Sequence, residues 1–454
     1  MTDRPNVLLV ILDSVRAENT SLHGYERETT PFLADFAERA TVYTQARAPG
    51  IHSIASHVSM FTGTHVEEHG ASKHTAQIDP HRTIWHELAA DHGYATGLFT
   101  NNRIVSNASN LAEPFDYVHE PTYPLAERIE NRIDGTALER AYFRWYDGIS
   151  RLSERVGTGE EAAETTAGGD GVDADSDGTE GGLSTRLSQP LGWLADRVPL
   201  PGAGGSGYKT LHGGAFTDAF LEWESGQNGP WAACINLMDA HSPFEPESEY
   251  DRWASEDEWR IQREALPSVW ETLSGRGWDR LAALEPLYDG TILQADAVVA
   301  DLVASLEARD LLSDTLLVVT SDHGEAFGEQ SRVRQEVRVR DHKWGIHEVL
   351  THVPLVVSYP GQESGDVVEE VVSLTDLPRM FQAAPTDGDE ADRFVTGEEV
   401  LASTDRLPAE KATKYSSIAD IENYVGPWRA VYETTDAGVR KFAQHDDRYV
   451  TLDI

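Results

Sequence analysis

Residues 6–13 read NVLLVILD, an uninterrupted apolar run that ends on an acidic residue, Asp13. Short apolar runs of this kind are typical of strands buried on both faces of a parallel sheet. Four further runs share this character, at 94–99, 232–238, 316–320 and 353–359. Helical patterns alternate with them, at 30–40, 84–92 and 291–309. The alternation predicts an α/β fold with helices on both faces of the sheet.

Polar side chains follow three of these runs at the point where each run ends. They are Asp13 after the first run, Asp239 and His241 after the third, and Asp322 and His323 after the fourth. In open α/β sheets the ligand lies beyond the carboxyl ends of the strands, so these side chains should meet at one edge. Carboxylate and imidazole groups are good ligands for a divalent cation. We therefore predict a metal site at Asp13, Asp322 and His323; the alternative is a strand-end turn capped by Asp322.

A second motif, SIASHVSMFTG at residues 53–63, predicts a short helix that ends at Gly63. A hydroxyl at a helix N-terminus lies beside free amide donors that can receive an anion. Contact with a metal would lower the pKa of such a hydroxyl, which makes Ser53 a candidate nucleophile. His57 lies four residues on, on the same helical face as Ser53, and is a further candidate catalytic residue. The alternative is that Ser53 and Ser56 are only helix N-caps.

Two further motifs contain histidines and a lysine, DAHSPF at 239–244 and HKWGIHE at 342–348. Such side chains can bind the oxygens of a tetrahedral anion and protonate a leaving group. His241, His342 and Lys343 are therefore candidate catalytic residues, and the alternative for each motif is a solvated loop.

The charge of the chain is extreme, with 77 acidic against 37 basic residues and a net charge of -40 over 454 residues. A surface this acidic repels nucleic acid and anionic lipid, so both are excluded as partners. The apolar runs argue against a disordered acidic protein. We therefore favour a halophilic protein, in which concentrated salt screens the self-repulsion.

The organisation of the chain is read from shifts in composition. Residues 156–185 contain eight acidic residues and no lysine or arginine, which predicts a flexible insertion. We expect a catalytic domain at 1–360 and a small C-terminal subdomain at 361–454. No apolar run approaches the length of a membrane span, and the first run reads as a core strand rather than a signal peptide, so we expect a cytoplasmic protein.

The motifs, taken in their order, resemble those of the sulfatase family within the alkaline phosphatase superfamily. The similar segments are NVLLVILDS, SIASHVSMFTG, NLMDAHSPF, VVTSDHGEAFGE and HKWGIHEV. The resemblance covers most of the chain apart from residues about 120–210. It implies an alkaline-phosphatase-like mixed, mostly parallel sheet flanked by helices, with a small C-terminal α+β subdomain.

The resemblance also implies roles for individual residues. One divalent metal ion would be bound by Asp13, Ser53, Asp322 and His323. Ser53 would in addition be the nucleophile, and His241, His342 and Lys343 would contact the oxyanion of the substrate. The implied reaction is the hydrolysis of a sulfate ester of a carbohydrate or another small polar molecule.

The chain departs from the family pattern at the nucleophile and at the metal ligands. Residues 53–57, SIASH, lack the proline and arginine of the family's C/S-x-P-S-R string, which argues against oxidation of Ser53 to formylglycine. His323 stands where calcium-dependent sulfatases have asparagine, and an imidazole favours manganese or zinc over calcium, with magnesium also admitted. Two alternatives follow. One is a phosphodiester or phosphonate monoester hydrolase, or a phosphoryl-group transferase, that uses unmodified Ser53. The other is a non-catalytic binding protein with this fold.

Overall fold

The structure is a computed structural model that describes residues 4–120, 212–264, 266–267, 269–384, 399–407 and 420–454. By its internal contacts the chain divides into two units, and all described residues belong to the unit formed by Met1–Glu120 and Gly204–Ile454. The predicted acidic insertion at 156–185 lies outside the described residues.

An eight-stranded sheet forms the centre of this unit. Its strands are β1 (Asn6–Leu12), β2 (Thr41–Arg47), β3 (Ala95–Thr100), β4 (Tyr117–His119), β5 (Trp231–Leu237), β6 (Thr315–Thr320), β9 (Leu355–Ser358) and β10 (Asp366–Ser373), and a separate hairpin contains β7 (Phe327–Gln330) and β8 (Arg338–Arg340). The strand order is β10-β2-β9-β6-β1-β5-β3-β4. Strand β9 is antiparallel to both of its neighbours and the other pairs are parallel. The prediction of a mixed, mostly parallel sheet is confirmed.

Helices cover both faces of this sheet. The helices of the described residues are α1 (Pro31–Phe36), α2 (Ser53–Thr62), α3 (Val66–His69), α4 (Ile84–Ala90), α5 (Gly214–Glu224), α6 (Glu256–Arg263), α7 (Val269–Leu273), α8 (Trp278–Ala282), α9 (Glu285–Ala308), α10 (Glu348–Thr351) and α11 (Leu377–Ala383). Alternate residues of β1 pack into two hydrophobic clusters, one containing α2, α4 and α11 and the other α1, α5 and α9. Because both faces of β1 are buried, its sequence is apolar throughout. None of the described helices is long and apolar enough to cross a membrane.

Two strands at one side of the sheet were not predicted. β2 and β10 form a parallel pair, and β10 lies at the edge of the sheet with most of its first five residues exposed. Because one side of an edge strand faces water, the sequence of β10 contains Asp366, Glu369 and Glu370 and has no continuous apolar run. The predicted boundary at residue 361 therefore falls before one more strand of the large sheet.

A four-stranded antiparallel sheet follows at the C-terminus. Its strands are β11 (Glu399–Thr404), β12 (Trp428–Thr435), β13 (Gly438–His445) and β14 (Arg448–Asp453), in that order. Lys441 on β13 is fully buried and its Nζ donates to the Ile346 carbonyl oxygen and to Oε1 of Glu348, each at 2.7 Å. The backbone N–H of Ser403 on β11 donates to the Pro49 carbonyl oxygen at 3.0 Å. This sheet therefore contacts the segments that precede Ser53 and that follow His342.

Candidate functional site

The carboxyl ends of the central strands bring three predicted metal ligands together. Strands β1 and β6 are neighbours, so Asp13 and the Asp322-His323 pair leave the sheet at the same edge. All three side chains are fully buried. Ligand atoms of Asp13, Asp322 and His323 lie within 4.8 Å of one another, close enough to bind one ion.

The hydrogen bonds of His323 show which of its ring nitrogens is available as a ligand. Nδ1 lies 2.9 Å from the Gly324 carbonyl oxygen, which can only accept, so Nδ1 carries the hydrogen. Nε2 then holds a lone pair and lies 3.4 Å from Oδ2 of Asp322. Neither atom has a hydrogen-bond partner among the described residues. Two buried acceptors that face each other without a donor are unfavourable, and a cation between them would remove the cost, so the residues fit a divalent ion.

The two carboxylates influence each other's protonation. Burial, and then the negative charge of Asp13, raise the pKa of Asp322 well above its ordinary value. Burial alone would raise the pKa of Asp13 as well, but the imidazoles of His241, His323 and His57 outweigh burial and lower it. Protons therefore compete with a cation for Asp322 more strongly than for an ordinary carboxylate.

Ser14 holds both carboxylates in position. It adopts a left-handed backbone conformation with φ of 68°, which is unfavourable for a residue with a side chain. Its N–H donates to Oδ1 of Asp322 at 3.2 Å and its hydroxyl donates to Oδ1 of Asp13 at 2.9 Å. The hydroxyl of Tyr288 donates to the Ser14 carbonyl oxygen at 2.7 Å and so supports this turn. Ser14, directly after Asp13, therefore orients two of the predicted metal ligands.

Ser53 is the first residue of α2 and lies beside the metal-ligand cluster. It is 4% exposed. A hydrogen bond from its hydroxyl lowers the pKa of Asp322 and so opposes the larger, raising effect of burial. Nδ2 of Asn102 lies 2.9 Å from Oδ2 of Asp13 and 3.3 Å from Oγ of Ser53, so one amide donates to both residues. Asn102 was not predicted as a site residue. Its signal in the sequence is its place two residues after β3, at the same sheet edge as Asp13.

His57 contacts the backbone of Ser53, whereas a general base would contact its hydroxyl. Its Nδ1 lies 2.9 Å from the backbone carbonyl oxygen of Ser53, one helical turn earlier, and 3.6 Å from Oδ2 of Asp322. Its Nε2 has no hydrogen-bond partner within the described part of the chain. The fully buried ring thus supports the first turn of α2 and faces the Asp322 carboxylate.

The predicted oxyanion-binding histidines surround His323. The ring of His342 lies 4.6 Å from that of His323 and 5.4 Å from that of His241, between ring centroids. Nδ1 of His342 lies 3.3 Å from Oε2 of buried Glu325. Burial lowers the pKa of His342 well below its ordinary value and that of His323 to about 4, so both rings are neutral at pH 7.

Lys343 lies at the solvent-facing edge of the site rather than among the buried metal ligands. Its side chain is 35% exposed and its Nζ lies 3.7 Å from Oδ2 of Asp341. The structure thus brings all the predicted site residues to one sheet edge, with the metal-ligand cluster buried and Lys343 near solvent.

Comparisons with known proteins give a family match and distant relatives. A family model described as Sulfatase matches residues 5–383. Arylsulfatase K of Homo sapiens is 22% identical over 392 residues, which cover 84% of this chain and 63% of that protein. An arylsulfatase of Clostridium perfringens is 22% identical over 397 residues, which cover 82% of this chain and 73% of that protein. The chain therefore spans less than two thirds of the length of Arylsulfatase K.

Solved structures share the fold at low sequence identity. The phosphonate monoester hydrolase SpPMH from Silicibacter pomeroyi has a TM-score of 0.62 and 18% identity, with 99% of this chain and 89% of that chain covered. BT4656, solved in complex with D-glucosamine-2-N,6-O-disulfate, has a TM-score of 0.59 and 14% identity, with 99% of this chain and 91% of that chain covered.

Proposed function

The chain belongs to the sulfatase family, and on this premise we propose that it is a metal-dependent hydrolase of sulfate esters with Ser53 as its nucleophile. The observation that carries the proposal is the pair of unpartnered, buried acceptors on Asp322 and His323, which face each other beside Asp13 and Ser53. The sulfate preference follows the family and the arylsulfatases among its relatives.

A divalent cation held by Asp13, Asp322 and His323, with Ser53 as a fourth ligand, would lower the pKa of the Ser53 hydroxyl and neutralise charge on the ester oxygens. The protein supplies the remaining parts of the site. Since α2 begins at Ser53, the first amides of this ten-residue helix have no partner within the helix and can donate to an ester oxygen. Asn102 orients the Ser53 hydroxyl against Asp13.

In this proposal, Glu325 determines which ring nitrogen of His342 carries the hydrogen. Burial, and then the charge of Asp341, raise the pKa of Glu325 well above its ordinary value, which favours the protonated carboxyl group. In that form the group would donate to Nδ1 of His342 and leave the ring hydrogen on Nε2, available to an ester oxygen. Ser53 Oγ attacks sulfur as the bond to the leaving alcohol breaks, and His241 or Lys343 at the edge of the site protonates that alcohol. Water then releases sulfate and restores the serine.

The test is a panel of nitrophenyl sulfate, phosphate, phosphodiester and phosphonate esters, assayed in molar salt with manganese, zinc, calcium or magnesium. Ser53→Ala should lower kcat by about 10³-fold or more, because the nucleophile is lost. Ser56→Ala is the matched control, since Ser56 is buried in the same helical turn and should keep activity within about twofold. Full activity in the Ser53→Ala protein would remove Ser53 from this role.

A second candidate function is hydrolysis of phosphodiesters or phosphonate monoesters by unmodified Ser53. It is favoured by the string SIASH, which lacks the proline and arginine that accompany formylglycine. Mass spectrometry of the peptide that contains Ser53 distinguishes the two candidates. An aldehyde, two hydrogens lighter than serine, supports the sulfate ester, with a hydroxyl of the hydrated aldehyde in place of the serine hydroxyl. Intact serine with faster phosphodiester turnover supports the second candidate, and intact serine with faster sulfate turnover supports the serine mechanism given above.

A further inference from the structure

Tyr288 lies where three segments of the candidate site meet. It is fully buried near the start of α9, and its ring centroid lies 5.3 Å from that of Phe244 and 5.2 Å from that of Phe327. Phe244 follows His241 by three residues, and Phe327 follows His323 by four. The ring therefore packs between the segments that follow β5 and β6, and its hydroxyl reaches the segment that follows β1.

The hydroxyl of Tyr288 closes the turn that follows β1. It donates to the Ser14 carbonyl oxygen at 2.7 Å and accepts from the Arg16 N–H at 2.9 Å, so it bridges two backbone groups of one turn. Burial raises the pKa of this hydroxyl, so it keeps the hydrogen that it donates. Since Ser14 and Arg16 are buried, their backbone groups depend on hydrogen-bond partners within the protein.

The turn depends on such support because its backbone is strained. Ser14 has φ of 68°, and a residue with a side chain keeps this conformation only where its surroundings hold it. In this conformation its N–H donates to Oδ1 of Asp322 at 3.2 Å, and its hydroxyl donates to Oδ1 of Asp13 at 2.9 Å. A relaxed backbone would aim both donors elsewhere, so the spacing of the two carboxylates depends on the turn.

A second link joins the same turn to the third predicted ligand. The N–H of Val15 donates to Oγ of Ser321 at 2.9 Å, and the Ser321 hydroxyl donates to the His323 carbonyl oxygen at 2.7 Å. The turn after β1 is therefore hydrogen-bonded to the ends of both strands that carry ligands, and a change in the turn would move all three ligands relative to one another.

We propose that Tyr288 is a positioning residue for the metal site, whose hydroxyl holds the turn at Ser14 in the shape that spaces the three predicted ligands for one cation. The proposal deepens the proposed function and rests on it, since it concerns the same cation. Tyr288 acts through the backbone of Ser14 and not by contact with the ion.

The test is calorimetric titration of the metal-free protein with manganese in molar potassium chloride. Tyr288→Phe keeps the ring between Phe244 and Phe327 and removes only the hydroxyl. It should weaken manganese binding about tenfold, as is usual when a group that orients metal ligands is lost. Circular dichroism checks that each variant is folded during the titration.

Tyr94→Phe is the matched control. Tyr94 is also buried, and its hydroxyl donates to a backbone carbonyl oxygen, that of Pro5, at 2.8 Å. Pro5 lies at the opposite end of β1 from Asp13, so this variant loses the same kind of hydrogen bond away from the site. It should bind manganese within about twofold of the wild-type affinity.

A double-mutant cycle with Ser14→Gly tests whether Tyr288 acts through the turn. Glycine adopts positive φ without strain, so the turn no longer needs the hydroxyl. In the Ser14→Gly protein, Tyr288→Phe should therefore weaken manganese binding by less than about twofold. An undiminished effect in this background would overturn the route through Ser14.

Wild-type affinity in Tyr288→Phe would overturn the inference, and so would a loss of affinity that Tyr94→Phe shares. Failure of the proposed function gives a different result. A wild-type protein that binds manganese but hydrolyses no ester refutes the hydrolase, while the comparison of affinities still decides the role of Tyr288. A wild-type protein that binds no manganese overturns the inference together with the metal site.

Discussion

At the scale of single residues, Asp322 destabilises the fold without a cation and stabilises it with one. Its Oδ2 has no hydrogen-bond partner among the described residues and lies 3.4 Å from Nε2 of His323, which carries a lone pair. We expect Asp322→Asn to keep or raise the melting temperature of the metal-free protein, because a buried charge is removed. The same change should abolish the rise in melting temperature that manganese gives the wild-type protein.

Melting in chelator and in manganese, in molar potassium chloride, measures both effects. Asp239→Asn is a suitable control, because Asp239 lies at the same sheet edge but accepts from Gln294 at 2.8 Å and is not a predicted ligand. A wild-type-sized response to manganese in Asp322→Asn would show that the ion binds elsewhere.

The raised pKa of Asp322 determines whether stabilisation by a metal increases or decreases with pH. A carboxyl group whose pKa is raised in the folded state stabilises the fold below its ordinary pKa, and this contribution is lost as the pH rises through the raised value. The metal-free protein should therefore lose stability with rising pH, while metal binding strengthens because fewer protons compete. The manganese-induced increase in melting temperature should be larger at pH 8 than at pH 6. An increase that shrinks over this range contradicts the assignment.

Some residues of the site could be predicted from the sequence and others could not. Asp13, Asp322 and His323 follow apolar runs directly, and the carboxyl ends of parallel strands meet at one edge, so their convergence is readable. Asn102 has a weaker signal, because it lies two residues after β3 rather than directly after it. Its contact with Asp13 depends on how close the ends of β1 and β3 lie, although β5 separates these strands in the sheet. That closeness is a tertiary contact.

At the scale of elements, the buried pair of Lys441 and Glu348 attaches the C-terminal sheet to the segment that contains His342. Burial alone would raise the pKa of Glu348, but Lys441 outweighs it and lowers the pKa to about 2. This contribution to stability is present above the ordinary carboxyl pKa and is lost as the pH falls towards about 2. Lys441→Met should cost about 3–5 kcal/mol, because it leaves Glu348 charged and buried without its partner.

Unfolding in urea measures this cost, and the double variant Lys441→Met with Glu348→Gln is its control. The double variant should recover most of the lost stability, since neither buried charge remains. Additive losses in the double variant would show that the two residues do not act as a pair.

The elements themselves were predictable where both faces of a strand are buried. The run at 6–12 coincides with β1 because neither face of this strand meets water. β2 and β10 were not predicted because their sequences mix polar and apolar residues, as expected at the side of a sheet. The contact between the C-terminal sheet and the segment that contains His342 depends on Lys441 reaching residues nearly a hundred positions earlier, and no local pattern shows this.

At the scale of the whole molecule, the net charge of -40 makes stability depend on salt. Self-repulsion acts over about 10 Å at 0.1 M salt and about 3 Å at 1 M. We expect the melting temperature to rise steeply as potassium chloride increases from 0.1 M to 2 M. Sodium chloride should act similarly if screening is the cause, and a melting temperature that is flat or falls with either salt contradicts the halophilic interpretation.

The metal-binding role of Asp13, Asp322 and His323 requires that these residues bind one cation beside Ser53. The most direct test is an anomalous difference map from crystals of the protein grown with manganese. We expect a single strong peak at roughly 2.0–2.3 Å from a carboxylate oxygen of Asp13, from Oδ2 of Asp322 and from Nε2 of His323. A map with no peak between these atoms, or with its strong peak at another group of residues, would contradict it.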